Sequence, residues 1–183
     1  TLNNLGNLLS DTNELKLAQT CYEEALHIYR ELSEQSPETC ESDVAMTLNN
    51  LGTLLSDTNE LQQAQACYEE ALQIYRKLSE QNPEVYKLDV AMTQQNLTLL
   101  YLHLVKKEGA EKAYQEAHNI YQELANHHPR AYEIDYARIL VIGIESLGKP
   151  KEDLEEVKAI LGKYPEHPKA QELLSRIEQL DKR

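Results

Sequence analysis

The sequence predicts an all-α fold in which antiparallel helix pairs repeat along the chain and stack as a solenoid. Residues recur 46 positions apart, as Tyr22, Tyr68 and Tyr114 do. The composition suits helices, since the 183 residues include only six Gly and six Pro and no Trp or Phe. A domain with one compact core has no reason to repeat at a fixed interval, whereas a stacked array does.

The period divides the chain into four units and a cap. Residues 1–46 and 47–92 differ at 11 of 46 positions, and residues 93–138 keep the same skeleton. Residues 139–164 are predicted to be a shortened, degenerate fourth unit, and residues 165–183 a C-terminal capping helix. Because the chain opens without Met in the middle of a unit, we expect it to come from a longer protein with more copies upstream.

The first helix of each unit is predicted from apolar residues at helical spacing. In the second unit it starts at Asp43, the expected N-cap, and ends at the segment 56–59, whose residues prefer turns and caps. Its buried stripe is Val44, Leu48, Leu51 and Leu55. Spacings of four, three and four place these side chains on one face.

The second helix is predicted from about Glu60 to Gln81. Its apolar positions are Leu61, Ala64, Tyr68, Ala71, Tyr75 and Leu78. A stripe this wide suits a helix that contacts two neighbours. The pair Asn82 and Pro83 ends the helix, because the residue before a proline avoids the helical region.

These residues resemble the tetratricopeptide repeat. The resemblance rests on Leu48, Leu51, Gly52, Leu55, Ala64, Tyr68 and Ala71 and on their counterparts in the neighbouring copies. It implies that the small residues Gly52 and Ala71 allow close helix packing and that the units stack into a right-handed superhelix. The usual period is 34 residues. We expect the added residues to extend the second helix by two turns and to lengthen the connection, as in repeats of the kinesin light chain type.

The later units have less regular turns. The third unit has an apolar run from Leu99 to Val105, so that Gly109 is the only expected breaker before its second helix. The fourth has a turn at residues 148–150, followed by a short helix, Glu152–Leu161. The last amphipathic stretch is Pro168–Leu180.

The net charge of −13 is uneven, because residues 1–92 carry 16 acids and 5 bases. An acidic surface repels phosphate backbones, so nucleic acid is not an expected partner. A basic peptide or protein surface would be favoured instead. No apolar run reaches membrane-spanning length and no signal peptide is visible, which predicts a cytoplasmic protein without a membrane partner.

No pattern of reactive residues predicts an enzyme. The three cysteines do not indicate a disulfide framework, because Cys21 and Cys67 lie one repeat apart and Cys40 is expected in a loop. The six histidines show no zinc-binding spacing, and there is no phosphate-binding loop or nucleophile motif. We therefore expect no catalytic site, no cofactor and no metal.

The candidate site is the face of each first helix that points away from the buried stripe. The tetratricopeptide resemblance implies that this face lines a concave groove for peptides. The predicted peptide-binding residues are Asn3, Asn7, Asp11, Met46, Asn49, Thr53, Asp57, Met92, Gln95, Leu99, His103 and Arg138, with Val141 beside the last. Asn and Gln can both donate to and accept from a peptide backbone. A merely solvated polar face is the alternative, although Asn and Thr are poor choices for an exposed helix.

Three functions remain open at this stage. The first is a non-enzymatic scaffold that binds a peptide or partner segment in the groove. The second is a regulatory or sensor segment of a larger enzyme or signalling protein. The third is a self-associating array, joined through an open amino-terminal edge at Leu2, Leu5 and Leu8.

Overall fold

The structure is a computed structural model and describes residues 1–35, 37–150 and 153–180. Within these residues it contains nine α-helices and no strand, which confirms the all-α fold. The chain forms two compact units, Thr1–Val105 and Lys106–Arg183, here called the first and second lobes.

The first lobe holds α1 (Leu2–Asp11), α2 (Leu15–Gln35), α3 (Pro37–Asp57), α4 (Leu61–Gln81) and α5 (Pro83–His103). The second lobe holds α6 (Lys107–His127), α7 (Pro129–Leu147), α8 (Asp153–Leu161) and α9 (Pro168–Leu180). The repeat boundaries expected after residues 46, 92 and 138 lie inside α3, α5 and α7, because the 46-residue period was counted from residue 1 and not from a helix start. The division into four units and a cap stays a prediction.

The long period comes from lengthening both helices of the pair. Helices α4 and α5 each have 21 residues, and Asn82 alone separates them. The prediction of a longer connection was therefore wrong. Pro83 ends one helix and also begins the next, since the first helical position needs no N–H and favours the fixed φ of proline.

The early start of α3, at Pro37, corrects two expectations from the sequence. Asp43 is not an N-cap, because α3 already begins at Pro37; its carbonyl accepts a hydrogen bond from Thr47 Oγ1 at 2.8 Å inside the helix. Cys40 likewise lies in α3 rather than in a loop. The residues before Asp43 lack a clear apolar stripe, so the spacing did not reveal them as helical.

Close packing within the first two helix pairs depends on glycine. A Cβ atom on Gly52 would lie 2.8 Å from Cε1 of Tyr68, and one on Gly6 would lie 2.6 Å from Cε1 of Tyr22. The predicted stripe is buried, with Val44, Leu48, Leu51 and Leu55 at most 5% exposed. Gly52 and Ala71, the small residues expected to allow close helix packing, are both buried, and Gly52 lies directly against the Tyr68 ring.

The turns between paired helices contain one residue with left-handed backbone. It is Asn13 (φ 63°), Asn59 (φ 67°) and Val105 (φ 58°) in the three successive turns. Asn tolerates this conformation, but a β-branched residue does so at a cost. Val105 therefore adopts the left-handed backbone although the asparagine is lost, and Gly109, the expected breaker, lies inside α6.

The second lobe follows the prediction closely. Helix α7 ends at Gly148, whose φ of 67° is the left-handed cap, and Lys149 N–H donates to the carbonyl of Gly143 at 3.2 Å. Helix α8 covers the expected short helix, apart from Glu152, which lies outside the described residues. Helix α9 has the bounds that the sequence predicted.

Candidate functional site

The candidate face of the first lobe is formed by α1, α3 and α5, which lie side by side. Asn50 Nδ2 of α3 donates to Oδ1 of Asn3 at 3.3 Å and to Oδ1 of Asn7 at 3.2 Å, both on α1. Asn96 Nδ2 of α5 donates to Oδ1 of Asn49 on α3 at 3.4 Å. Repeat-equivalent residues on these helices consequently form rows across the face.

Four rows contain the predicted residues of the first lobe. From the carboxyl end of the helices, they are Asp11, Asp57 and His103; Asn7, Thr53 and Leu99; Asn3, Asn49 and Gln95; and Met46 with Met92. At a rise of 1.5 Å per residue, the first and last rows are about 16 Å apart. The end rows and the second row are exposed.

The third row does not have the exposure that the sequence predicted. Asn3 is 1% exposed and Gln95 is 9% exposed, whereas Asn49 is half-buried. The Asn50 amide is hydrogen-bonded to Asn3 of this row, and the Asn96 amide to Asn49. Asn3 Nδ2 and Gln95 Oε1 have no hydrogen-bond partner among the described residues. As placed, these two side chains cannot contact a ligand on the surface.

Asn7 is exposed, but its amide is held in one orientation. Its Oδ1 accepts from Tyr22 Oη at 2.8 Å and from Asn50 Nδ2 at 3.2 Å. These two bonds assign the oxygen to the inner side, which leaves Nδ2 as a donor directed away from them. Asn7 therefore presents a fixed donor on the face.

Thr53 has the same position one repeat later but a different role. Its Oγ1 accepts from Tyr68 Oη at 3.0 Å and donates to the Asn49 carbonyl at 3.1 Å. The single hydroxyl proton is thus used within the fold. At this position the first repeat therefore offers a ligand an outward amide donor, whereas the second repeat does not.

The end row is acidic in the first two repeats. Asp11 and Asp57 are the last residues of α1 and α3, where the helix dipole adds negative potential. Burial, followed by the charge of Asp11, raises the pKa of Tyr22. Burial raises the pKa of Tyr68 to about 12; the hydrogen bond with Thr53 opposes this rise and Asp57 adds to it. Both carboxylates therefore lie close enough to influence the tyrosines behind the second row.

The predicted residues of the second lobe are less available. Arg138 is half-buried and forms an ion pair with Asp135 of the same helix, with Nη2 and Oδ1 3.4 Å apart. Val141 is fully buried, so it cannot form part of a binding surface. Helix α7 is apolar on most of its sides. Its sequence pattern therefore does not show which residues face outward.

Metal binding, membrane insertion and thiol chemistry are the other functions to consider for the described part of the chain. No group of three or more His, Cys, Asp or Glu side chains there could hold a metal ion. None of the described helices combines the length and apolarity needed to cross a bilayer. Burial, together with the charge of Glu70, raises the pKa of the Cys67 thiol to about 11, which keeps it protonated and unreactive.

Comparison with protein families decides the classification. The model of the tetratricopeptide repeat matches residues 1–77 and 43–123, which together cover two thirds of the chain. The chain belongs to the tetratricopeptide repeat family. Tetratricopeptide repeats generally mediate protein–protein interaction, and the resemblance seen in the sequence is confirmed.

A solved tetratricopeptide-like structure supports the same fold. The chain is similar to the crystal structure of BtubC (BKLC) from P. vanneervenii, with a TM-score of 0.63 and 21% sequence identity. The match covers 98% of this chain and 61% of that one, so the chain spans less than two thirds of the length of BtubC. No significant sequence match was found among curated proteins.

The residues that sequence reasoning missed are Asn50 and Asn96. Both follow directly after a predicted site residue, and both connect neighbouring first helices. The available signal was the recurrence of polar pairs at positions 3 and 4, 49 and 50, and 95 and 96. Adjacent helical residues point about 100° apart, so only one member of each pair can face outward.

Proposed function

We propose that the first lobe is a non-enzymatic interaction module that binds an extended partner segment across α1, α3 and α5. Membership of the tetratricopeptide family supports interaction in general. The specific face is supported by its exposed residues, which combine donors, carboxylates and apolar side chains. Asp11, Asp57, Met46, Met92 and Leu99 are all exposed there.

The observation that carries this proposal is the fixed amide of Asn7. Because Tyr22 and Asn50 both donate to its Oδ1, the outward Nδ2 is oriented before a ligand arrives. Preorganised groups lose less conformational freedom on binding. On the next helix, Asn49 Oδ1 accepts from Asn96, which leaves the Asn49 Nδ2 group as a second donor. Two such donors on neighbouring helices suit backbone carbonyls about three residues apart in an extended segment.

Charge narrows the class of partner. Asp11 and Asp57 are exposed carboxylates on neighbouring helices, so they favour Lys or Arg side chains. Packed helices lie about 8–10 Å apart, and an extended chain advances about 3.3–3.6 Å per residue. The proposed ligand therefore places basic residues three positions apart.

Apolar contacts complete the proposed face. Met46, Met92 and Leu99 are 38%, 42% and 40% exposed. Methionine adapts its shape to irregular partners, so these side chains can accommodate an apolar residue without strict size selection. The proposed ligand is basic on one side and apolar on the other.

Asn7→Thr tests the amide donor. The variant copies the residue of the second repeat, so a hydroxyl remains to accept from Tyr22 while the outward donor is removed. The probe is a set of peptides of about nine residues, long enough to span three helices, with Lys at every third position and Leu between. We expect binding to weaken roughly fivefold, as for loss of about 1 kcal/mol of hydrogen bonding, with unchanged thermal stability.

The control for this test is Gln62→Thr, which replaces an exposed amide side chain on α4, outside the candidate face. It should leave peptide affinity unchanged. Equal binding by Asn7→Thr and the unsubstituted chain would show that the amide donor has no part in recognition. Absence of binding to every peptide would favour the merely solvated face.

A further inference from the structure

A groove in the first lobe lies where α2, α3 and α4 meet. Its volume is about 360 Å³, at the lower end of the range for small-molecule sites. Its lining includes four charged side chains and two apolar ones, namely Arg30, Glu41, Glu70, Lys77, Val44 and Ile74. None of these residues belongs to the candidate face of α1, α3 and α5. The groove is therefore a separate place at which the first lobe could take a ligand.

The apolar part of the groove consists of Val44 on α3 and Ile74 on α4. Val44 is 5% exposed and Ile74 is half-buried. In α4, Glu70 comes one turn before Ile74, and Lys77 comes about one turn after it. A small apolar group placed over Ile74 would thus have a charged side chain on either side of it.

Two ion pairs bring these charges into the groove, and they differ in how fully their hydrogen-bonding groups are used. Lys77 Nζ donates to both carboxylate oxygens of Glu41, at 2.6 and 2.9 Å. Arg30 Nη2 donates only to Oε1 of Glu70, at 2.6 Å. A guanidinium has five N–H donors and a carboxylate has two oxygens. The pair of Arg30 and Glu70 therefore keeps several donors and one oxygen that are not hydrogen-bonded to any described residue.

We propose that this groove binds a free apolar α-amino acid of about the size of leucine. The ligand carboxylate accepts from the remaining N–H groups of Arg30, and the ligand ammonium donates to Oε2 of Glu70. Because both charged groups of an α-amino acid are attached to one carbon, they match a neighbouring cation and anion. The ligand side chain then covers Val44 and Ile74, which is favourable because apolar surface leaves water.

Charge selects a ligand that carries both signs. The two cations and two anions of the groove cancel, so it has no net preference for a simple cation or a simple anion. Residues 1–92 carry 16 acids and 5 bases, so the surroundings repel a free anion. A zwitterion gains from Arg30 and from Glu70 together. The side chains of these two residues are 49% and 44% exposed, so a ligand can reach them from solvent.

Calorimetric titration of the full chain with leucine tests the proposal. We expect a dissociation constant of about 1 mM, which is ordinary for so small a ligand. Leucinamide lacks the carboxylate and isocaproate lacks the ammonium, so each should bind at least about tenfold more weakly, since charge-assisted hydrogen bonds are the strong ones.

Arg30→Gln and Glu70→Gln test the two sides of the site separately. Each should weaken leucine binding about tenfold, and neither should change the melting temperature greatly, because exposed ion pairs contribute little to stability. Lys16→Gln is the control, since it removes an exposed cation from α2 outside the groove. It should leave leucine binding unchanged.

Three results would overturn the proposal. The first is no heat of binding with leucine at about ten times the expected dissociation constant. The second is equal binding of leucine and both singly charged analogues. The third is leucine binding that survives both Arg30→Gln and Glu70→Gln. The peptide titrations report on the candidate face, so their outcome does not decide whether the groove binds an amino acid.

Discussion

The asparagine pairs decide which side chains of the first lobe can reach a ligand. Asn50 faces α1, where its side-chain amide donates to the buried Asn3 and to Asn7, and the second of these bonds helps to orient Asn7. The sequence predicted a polar face, but it could not separate the outward residues from those that connect helices. That distinction depends on where the neighbouring helix lies, which the spacing within one helix does not contain.

Val105 gives a prediction about backbone strain. It adopts φ 58° in a turn where the two equivalent residues are asparagine, and it is 77% exposed, so its side chain contributes little packing. Val105→Asn should stabilise the protein by about 1 kcal/mol and raise the melting temperature by roughly 2–4 °C, measured by circular dichroism. Val105→Thr is the control, because it adds polarity but keeps β-branching. An equal gain from threonine would attribute the effect to polarity.

Asp89 gives a prediction about pH. Burial raises its pKa from 3.8 to about 6, so the folded state favours the protonated carboxyl. Its contribution to stability is therefore complete below the unfolded pKa and is lost as the pH rises through about 6. Each pKa unit corresponds to about 1.4 kcal/mol, but solvent screens this partly exposed group, so Asp89→Asn should stabilise by only ~1 kcal/mol at neutral pH.

Urea denaturation at pH 4 and pH 7.5 checks the Asp89 prediction. The variant should gain at the higher pH and lose that advantage at the lower one. Glu24→Gln, which removes an exposed carboxylate, should show no such difference. A gain of equal size at both pH values would mean that charge burial at Asp89 is not the cause.

Among the helices, the sequence predicted the second member of each pair better than the first. Helix α4 has a wide apolar stripe that runs to its end, and its predicted and observed bounds agree closely. Helix α3 begins six residues before the expected Asp43. Pro83 was predicted only to end the preceding helix, but proline is also favoured at a helix start, and its counterpart Pro37 begins α3.

Gly52 tests how closely α3 and α4 approach. Even a methyl group there would lie 2.8 Å from the ring of Tyr68, which is 3% exposed and hydrogen-bonded to Thr53, so the ring cannot move away easily. Gly52→Ala should destabilise by about 1–3 kcal/mol, and Gly52→Leu by more, in chemical denaturation. Tyr68→Leu should partly rescue Gly52→Ala by giving it space. Strictly additive effects of the two substitutions would place the close contact elsewhere.

For the molecule as a whole, repetition made the fold predictable. Near-identity of the first two copies established the period and the family resemblance before any contact was known. The same repetition limited the prediction of the site, because every copy suggested an equivalent row of ligand contacts. The copies differ at some equivalent positions, such as Asn7 and Thr53. The structure shows that these two side chains make different hydrogen bonds and so offer different groups to a ligand.

The central claim is that the first lobe binds basic segments on the exposed face of α1, α3 and α5. Fluorescence anisotropy with the lysine-containing peptides, on the unsubstituted chain and on Asp11→Asn/Asp57→Asn, tests it most directly. The substituted chain should bind roughly tenfold more weakly, as for about 0.7 kcal/mol per lost charge pair, and its affinity should depend less on salt. Equal affinity and equal salt dependence for the two chains would contradict the claim.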